Sequence, residues 1–485
     1  MSLRIFNSLT GRKEEFVPLD PPRVRMYVCG VTVYDLCHIG HARSAIVFDV
    51  IYRHLKFCGY DVTYARNFTD VDDKIINRAG ETGMAWDQVA GKYIAEFYND
   101  MGPLGLLAPD VEPKATDHIP EMLEMIGALV EKGIAYESEG SVYYSVKKFP
   151  EYGRLSGKNI DDLLSGARVD VDERKKNPLD FALWKAFKPG EPWWDSPWGK
   201  GRPGWHIECS AMGRKYLGEV FDIHGGGKDL AFPHHENEIA QSQGCSGKAP
   251  VKLWVHNGFV NVNQEKMSKS LGNFFTIKDI LAKAHPETVR LFLMSSHYRS
   301  PIDFSPEGLT AAGKNLARFY DLLAVKDSIE PEVVETAAGL EDSVAVFREA
   351  MDDDFNTAVA LAHMNTELKR LNHLRAGMEK MKKKSPQYTE ALRSLASGIV
   401  TLEKLGAQLG MFPSRPAEFI QIFRQTRLVE AGMTCEEVEA MIKQRAISRA
   451  EKKFAEADHI RGELTTRGIL LHDKPEGTTW SASLD

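Results

Sequence analysis

The 485-residue chain contains no run of apolar residues long enough to span a bilayer. Its first residues, "MSLRIFNSLTGRKEEF", lack the apolar core of a signal peptide. These absences set the expectation of a cytoplasmic protein with no membrane partner. Cysteine is scarce. The six residues, at 29, 37, 58, 209, 245 and 435, include no C-x-x-C pair, so reduced thiols are expected and no disulfide framework. Each thiol is by default a small buried hydrophobe. There is no excess of positive charge: the formal net charge is −7, which leaves nucleic-acid binding to local basic patches. Internal repeats and low-complexity segments are missing as well. What remains, 43% hydrophobic and 27% charged residues, is the composition of a globular protein, and the length calls for several domains.

The apolar pattern predicts a parallel α/β core. "VRMYVC" (24–29) reads as a buried strand, and a loop follows, "GVTVYDLCHIGH". "ARSAIVFDVIYRHLKFCGY" (42–60) reads as a helix, with Ile46, Val47, Val50, Ile51, His54 and Leu55 at helical spacing and Gly59 at its end. "DVTYARNFT" (61–69) is the next strand, which completes a strand–helix–strand unit. Further strands are expected at 219–224 and 252–256, and a hairpin over "AYESEGSVYYSV". Residues 150–204 hold four of the eight tryptophans among prolines and glycines, and read as packed irregular loops without a sheet layer. Beyond residue 275 the pattern is helical. The basic run "LKRLNHLRAGMEKMKKK" fits an RNA-facing or merely solvated helix face. "RGILLHDKPEGTTW" predicts two short strands joined by a turn.

Three short stretches carry chemistry. "HIGH", His38–His41, lies between the first strand and its helix, where parallel sheets bind phosphate groups. Two imidazoles there can donate hydrogen bonds to phosphate oxygens, and Gly40 allows close approach. "KMSKS", Lys266–Ser270, is a cationic loop able to clamp a triphosphate through Lys266 and Lys269. "AFPHHENE" (231–238) reads as a helix start with Pro233 in first position. It places His234 four residues, and His235 three residues, before Glu238, so either pair can grip a metal, and the local sequence does not choose. "GGGKDL" lacks the spacing of a phosphate-binding P-loop.

"HIGH" followed by "KMSKS" resembles the motif pair of class I aminoacyl-tRNA synthetases. "VCGVTVYDLCHIGHAR", "NFTDVDDKI", "GWHIECSAM", "DIHGGGKDLAFPHHENEIAQS", "KMSKSLGNF", "DDDFNTAVAL" and "RAEKKFAEADHIRGEL" resemble the cysteinyl-tRNA synthetase family, essentially end to end. The resemblance implies an α/β fold: a Rossmann-like parallel-sheet catalytic domain (1–114 and 205–275) split by a connective insertion (115–204). A stem-contact segment (276–335), a tRNA-binding helical bundle (336–412) and a small mixed anticodon-binding module (413–485) would follow.

The resemblance also assigns roles. Cys29, Cys209, His234 and Glu238 become ligands of one zinc ion per chain, with His235 and Glu236 in support and Cys37 left as packing. Thiolate and imidazole are ligands that zinc favours. Thr69, Trp205, His206 and His224 become the cysteine pocket. His38, Gly40, His41, Gly226, Gly227, Asp229, Lys266 and Lys269 become the ATP site, with His38, His41, Lys266 and Lys269 catalytic. The implied substrates are L-cysteine, ATP with Mg2+, and tRNA(Cys), handled by a monomer. Zinc would take the substrate sulfur as a ligand. A site built around one such contact rejects an analogue lacking it by roughly 10⁴–10⁵, so no editing domain is expected. Rival readings are a cysteine–amino-sugar ligase on the same catalytic fold, a non-catalytic tRNA-binding paralogue, and a zinc hydrolase. The chain beyond residue 412 argues against the first, and the intact phosphate motifs against the other two.

Overall fold

After an N-terminal hairpin of β1 (Arg4–Asn7) and β2 (Arg12–Glu15), residues 23–69 form the strand–helix–strand unit that their apolar pattern predicts. A computed structural model of the chain describes residues 2–158, 173–262, 265–266, 275–383, 385–474 and 477–483. Strand β3 (Arg23–Thr32) runs three residues past its expected end, and helix α1 (Ile39–Phe57) starts three residues early. The early start has a specific cause. The His38 ring accepts a hydrogen bond from the Gly40 N–H, and the His41 ring accepts one from the His38 N–H, a reciprocal cap built from residues not usually counted as helix caps. Ile39, Ala42, Ile46, Val50, Ile51 and Leu55 bury one face of α1, and β4 (Asp61–Thr69) then pairs with β3 in parallel.

Contacts within the chain define two units. The first comprises Met1–Ile277, Ser296–Ile302 and Glu349–Thr357. Its α2 (Asp73–Thr82), α3 (Trp86–Met101) and α4 (Ile119–Glu131) lead to a sheet of β5 (Ala135–Ser138), β6 (Ser141–Tyr144), β7 (Phe181–Ala186) and β8 (Gly201–Pro203), all antiparallel and in that order. The hairpin β5–β6 lies where predicted. The expectation of irregular loops over 150–204 is corrected, since two of the four strands fall there. Proline and glycine obscured them for physical reasons. β8 is an edge strand, which tolerates Pro203. Gly201 and Gly204 let its backbone approach β7 so closely that a Cβ would lie 2.3 Å from the Lys185 carbonyl oxygen and 2.0 Å from that of Ala182.

The central sheet is completed by β9 (Phe221–Gly227) and β10 (Val251–Asn257), reached through α5 (Trp205–Leu217) and α6 (His234–Ser246). Its order is β10–β9–β3–β4, every pair parallel, so Thr32, Thr69, Gly227 and Asn257 end at one edge. One core cluster joins this sheet to the antiparallel one through Tyr27, Ile207, Met212, Trp184, Tyr144 and Trp254. Between Val28 and Val31 the β3–β4 register slips, at Cys29–Gly30. Gly30 approaches Asn67 so closely that a Cβ would fall 1.5 Å from the Asn67 carbonyl oxygen. A short hairpin of β11 (Val260–Val262) and β12 (Glu265–Lys266) follows.

The chain continues through α7 (Pro286–Met294), β13 (Ile302–Phe304), α8 (Pro306–Leu323), α9 (Glu341–Asp352), α10 (Thr357–Met378), α11 (Pro386–Gln408), α12 (Pro416–Glu430), α13 (Cys435–Ala450) and α14 (Phe454–Thr466). The basic run expected as one helix is helical only to Met378, and Lys384 lies outside the described residues. The second unit comprises Lys278–Ser295, Asp303–Arg348 and Ala358–Asp485. In it, buried Glu287 accepts hydrogen bonds from the Tyr320 hydroxyl (2.6 Å) and the Phe412 N–H (2.9 Å). The two C-terminal strands appear as predicted, β14 (Ile469–Lys474) and β15 (Gly477–Ala482) in antiparallel register. On β14, Asp473 receives the buried Arg445 in two bonds of 2.8 and 2.9 Å, and Arg461 at 2.8 Å. Among the described residues, no helix is long and apolar enough to cross a membrane.

Two expected outcomes follow from this packing. Gly30→Ala drives a methyl group into the β4 backbone and should lower the free energy of unfolding by about 1–3 kcal/mol, read as a fall in the denaturant midpoint. Hydrogen bonds from Arg445 and Thr478 hold the Asp473 carboxyl well below the usual carboxylate range. Its contribution is therefore complete above the ordinary carboxylate pKa, about 4, and is lost as the pH falls toward the depressed value. Asp473→Asn should lower the melting temperature at pH 7, and the gap from wild type should close on acidification below pH 4.

A candidate metal and nucleotide site at the strand ends

The register slip in β3 turns Cys29 toward two helices. Cys209 is the fifth residue of α5, while His234 and Glu238 stand one turn apart on α6. Cys29 Sγ lies 3.5 Å from Cys209 Sγ and 3.4 Å from Glu238 Oε1, and His234 Nε2 lies 3.1 Å from the same oxygen. All four ligand atoms are within 4.8 Å of one another. Zinc–ligand lengths of about 2.0 Å to nitrogen or oxygen and about 2.3 Å to sulfur put tetrahedral neighbours roughly 3.3–3.8 Å apart. The three shortest of these separations match that tetrahedron to within a few tenths of an ångström, and two thiols, an imidazole and a carboxylate are donors that fit a zinc ion.

The same region holds a second grouping, Cys29, His224, His235 and Glu238. It is the poorer zinc set. It has one thiol, and His235 Nε2 is 4.0 Å from Glu238 Oε1. The other nitrogen of His235 is taken up by His256 Nε2 at 2.8 Å, and His256 Nδ1 meets Ser8 Oγ at 2.8 Å. His224 Nε2 bonds the second oxygen of Glu238 at 2.8 Å, which orients the carboxylate from behind. The pair left open by the local sequence is thus separated by tertiary packing: His234 faces the thiols and His235 faces β10. Glu236, expected in a supporting role, points its Oε2 instead at Ser156, accepting from its N–H and Oγ at 3.0 Å.

Charge in the cluster follows from these contacts. Burial opposes ionisation of Glu238, but His224 and His234 outweigh it and hold the carboxyl well below its usual range. Burial also opposes protonation of His234, yet Glu238 and Cys209 raise it to about 10. Burial, then the bond to Cys209, pushes the Cys29 thiol well up. Cys209 is lowered to about 6 despite its burial, because Cys29 donates to it and His234 stands beside it. Cys209 and Glu238 are ionised against a protonated His234, and a metal ion bound there would displace the His234 proton.

Three of the four pocket candidates touch this cluster. Trp205 stacks on His234 at 4.3 Å, His206 Nδ1 meets His234 Nδ1 at 2.9 Å, and His224 holds Glu238. Thr69 stands further back and donates to Glu208 Oε2 at 2.7 Å. A cleft of about 410 Å³ opens beside Trp205 and His206, with Asp73, Lys185 and Arg202 in its lining. Two contributors escaped sequence reasoning. Asn67 Oδ1 accepts from the Gly30 N–H at 2.9 Å and lies 3.6 Å from Cys209 Sγ. Glu208 is fully buried, and burial holds its carboxyl well above the usual range. Both sit inside quoted motifs, and no spacing rule marked them. Cys37 is buried, with its thiol pushed up to about 12 by burial, as expected of a packing residue.

The nucleotide candidates lie on the adjoining strand ends. The His38 and His41 rings stack at 3.8 Å. Each uses Nδ1 as an acceptor in the α1 cap, so each ring carries its proton on Nε2. Burial, then His38 and Lys74, holds His41 well below the usual histidine pKa, so it is a neutral donor. Gly226 and Gly227 end β9, next to β3 in the sheet, and exposed Asp229 follows. Lys266 lies in β12; Lys269 is outside the described residues. The chain returns at Phe275, whose carbonyl accepts from the Ile39 N–H at 3.3 Å, and the Ile277 N–H donates to the Cys37 carbonyl at 3.0 Å. The far end of the segment carrying "KMSKS" is therefore tied to the backbone around "HIGH".

Comparison with known proteins agrees with this geometry. Residues 15–314 match the family model described as the tRNA synthetases class I (C) catalytic domain, residues 346–413 a DALR domain, and residues 434–480 the cysteinyl-tRNA ligase anticodon binding domain. A cysteine–tRNA ligase from Syntrophotalea carbinolica is 56% identical over 488 residues, covering 99% of this chain and 100% of the relative. One from Geobacter metallireducens is 54% identical over 489 residues, covering 99% of each. Among solved structures, Mycobacterium tuberculosis methionyl-tRNA synthetase in complex with methionyl-adenylate superposes with a TM-score of 0.60 at 15% identity, covering 86% of this chain and 95% of its own. That likeness is one of fold, the α/β class I architecture.

Zinc retained after exhaustive dialysis separates the two groupings. Cys209→Ser should lose the metal, whereas His235→Asn should keep it at the wild-type ratio by elemental analysis. The opposite order would assign the ion to the His224–His235 side.

Proposed function

The chain belongs to the cysteine–tRNA ligase family, and from that premise we propose how its residues divide the joining of cysteine to tRNA(Cys). The reaction runs in two stages, and ATP is consumed in the first. The cysteine carboxylate attacks the α-phosphate to give cysteinyl-adenylate and pyrophosphate, and the cysteinyl group then passes to the 3′-terminal adenosine of the tRNA. One observation carries the division of labour: two thiols, an imidazole and a carboxylate from β3, α5 and α6 meet in one cluster, and β3 leads on to a stacked pair of histidines.

Cys29, Cys209, His234 and Glu238 hold the zinc. A zinc ion held there would supply a soft Lewis acid that favours the substrate thiolate over the harder, less acidic hydroxyl of serine. Trp205 and His206 form the wall of the cysteine pocket, Thr69 lines it, and His224 keeps Glu238 aimed at the cluster. His38 and His41 point Nε2–H groups at the α-phosphate, where negative charge gathers as the carboxylate attacks. Neutral donors fixed in a helix cap need no reorganisation as the charge develops. Gly226 and Gly227 leave room for the adenosine, and Asp229 accepts from the ribose hydroxyls. Lys266 and Lys269 hold the departing pyrophosphate of the ATP–Mg2+ complex. No group on the chain is acylated; catalysis is positioning and electrostatics.

The remaining domains serve the tRNA in this reading: residues 276–335 meet the acceptor stem, 336–412 form a tRNA-binding bundle, and 413–485 read the anticodon. The protein works as a cytoplasmic monomer. Cysteine-dependent ATP–pyrophosphate exchange tests the first stage, and charging of tRNA(Cys) the second. Zinc-loaded protein that shows no exchange would sink the reading. His41→Asn should lower the exchange rate about 10²–10³-fold while leaving cysteine affinity, measured calorimetrically, within a few-fold of wild type.

A further inference from the structure

Helix α1 begins at the nucleotide site and ends in a second cluster of ligand atoms. His54 and Cys58 stand one turn apart at its C-terminus, and Asp352 comes from the segment Glu349–Thr357 of the same unit. His54 Nε2 lies 2.9 Å from Asp352 Oδ1 and 3.5 Å from Cys58 Sγ, and Cys58 Sγ lies 3.8 Å from Asp352 Oδ1. One nitrogen, one sulfur and one oxygen thus form a triangle whose edges approach the roughly 3.3–3.8 Å of a tetrahedral zinc site. The His54–Asp352 edge is the short one and would open by a few tenths of an ångström around an ion.

We propose that His54, Cys58 and Asp352 form a second metal site, for a thiophilic divalent cation such as zinc or cobalt(II), independent of the Cys29–Glu238 cluster. Three features favour a cation. An imidazole and a thiol four residues apart on a helix are spaced to chelate one ion. The ligands gather at the C-terminal end of a 19-residue helix, the end whose dipole favours positive charge. His54 and Asp352 are 1% and 3% exposed, so two ligands are fixed and shielded, while half-buried Cys58 leaves an entry and a fourth position for water. The edge of the Phe355 ring meets the His54 imidazole at 5.9 Å and limits its rotation. With Nε2 on the metal, the ring proton sits on Nδ1, which is buried without an acceptor. That lack of support makes this the weaker of the two sites.

Cobalt(II) titrated into the metal-stripped full chain tests the proposal through its thiolate-to-cobalt absorption. Wild type should bind two equivalents. Cys58→Ser should bind one and lose about a third of the thiolate absorption, as expected when one of three cobalt-bound thiolates is removed. Cys209→Ser should lose the tighter equivalent and keep the one dependent on Cys58. Asp352→Asn, checked for native circular dichroism, should lose the same equivalent as Cys58→Ser. A single equivalent in wild type, or two equivalents that survive Cys58→Ser, would overturn the site and leave His54–Asp352 as a plain hydrogen bond. Because the Cys29–Glu238 equivalent is read separately, failure here leaves the activation reading intact.

Discussion

A carboxylate sealed from water must be met by donors, and Glu238 is the point where that demand organises the catalytic unit. Its two oxygens are reached by His224 from β9, His234 from its own helix, and Cys29 from β3. A charge buried in this way is costly to leave unpaired, so the three elements are held to one relative placement. The arrangement explains why β3 slips register at Cys29–Gly30. A regular ladder would keep residue 29 in the pleat, and the slip, held by Asn67, turns the thiol toward the helices.

The same logic connects the metal cluster to the nucleotide end. In a parallel sheet every strand finishes at one edge, so substrate groups recognised by different strands are brought together without any one loop reaching far. β9 carries His224 within its buried stretch and Gly226–Gly227 at its tip, and so contributes to both halves of the site. β3 carries Cys29 and leads directly into the cap formed by His38 and His41. That cap fixes the start of the helix and, in the proposed reading, also serves the chemistry: by accepting backbone hydrogen bonds at Nδ1, each ring is set in the tautomer that presents a donor at Nε2.

Much of this was legible in the sequence, though unevenly. The strand–helix–strand unit, the hairpin at 135–146 and the C-terminal strands follow from periodicity, because burial on one face leaves a regular apolar trace. The strand Gly201–Pro203 was missed because an edge strand with glycines at close approaches reads as a loop, and Phe181–Ala186, which pairs with it, was missed along with it. The start of α1 was misplaced because histidine is not a usual cap. Asn67 and Glu208 were invisible as site residues, since each acts through a partner far away in sequence. Asp352 belongs to the α/β unit, and nothing in the surrounding helical pattern announces that.

By itself the sequence determined the local grammar: which segments alternate strand and helix, where phosphate-binding loops sit, and that His234, His235 and Glu238 share a helix turn. The resemblance favoured His234, and only the tertiary structure shows what faces each of the two histidines. A helix turn offers both rings to Glu238, and the choice depends on what lies opposite each of them. Cys209 and His206 from α5 face His234, whereas His256 from β10 faces His235. Those partners lie on other elements of the chain, and periodicity carries no information about which surfaces meet across a core.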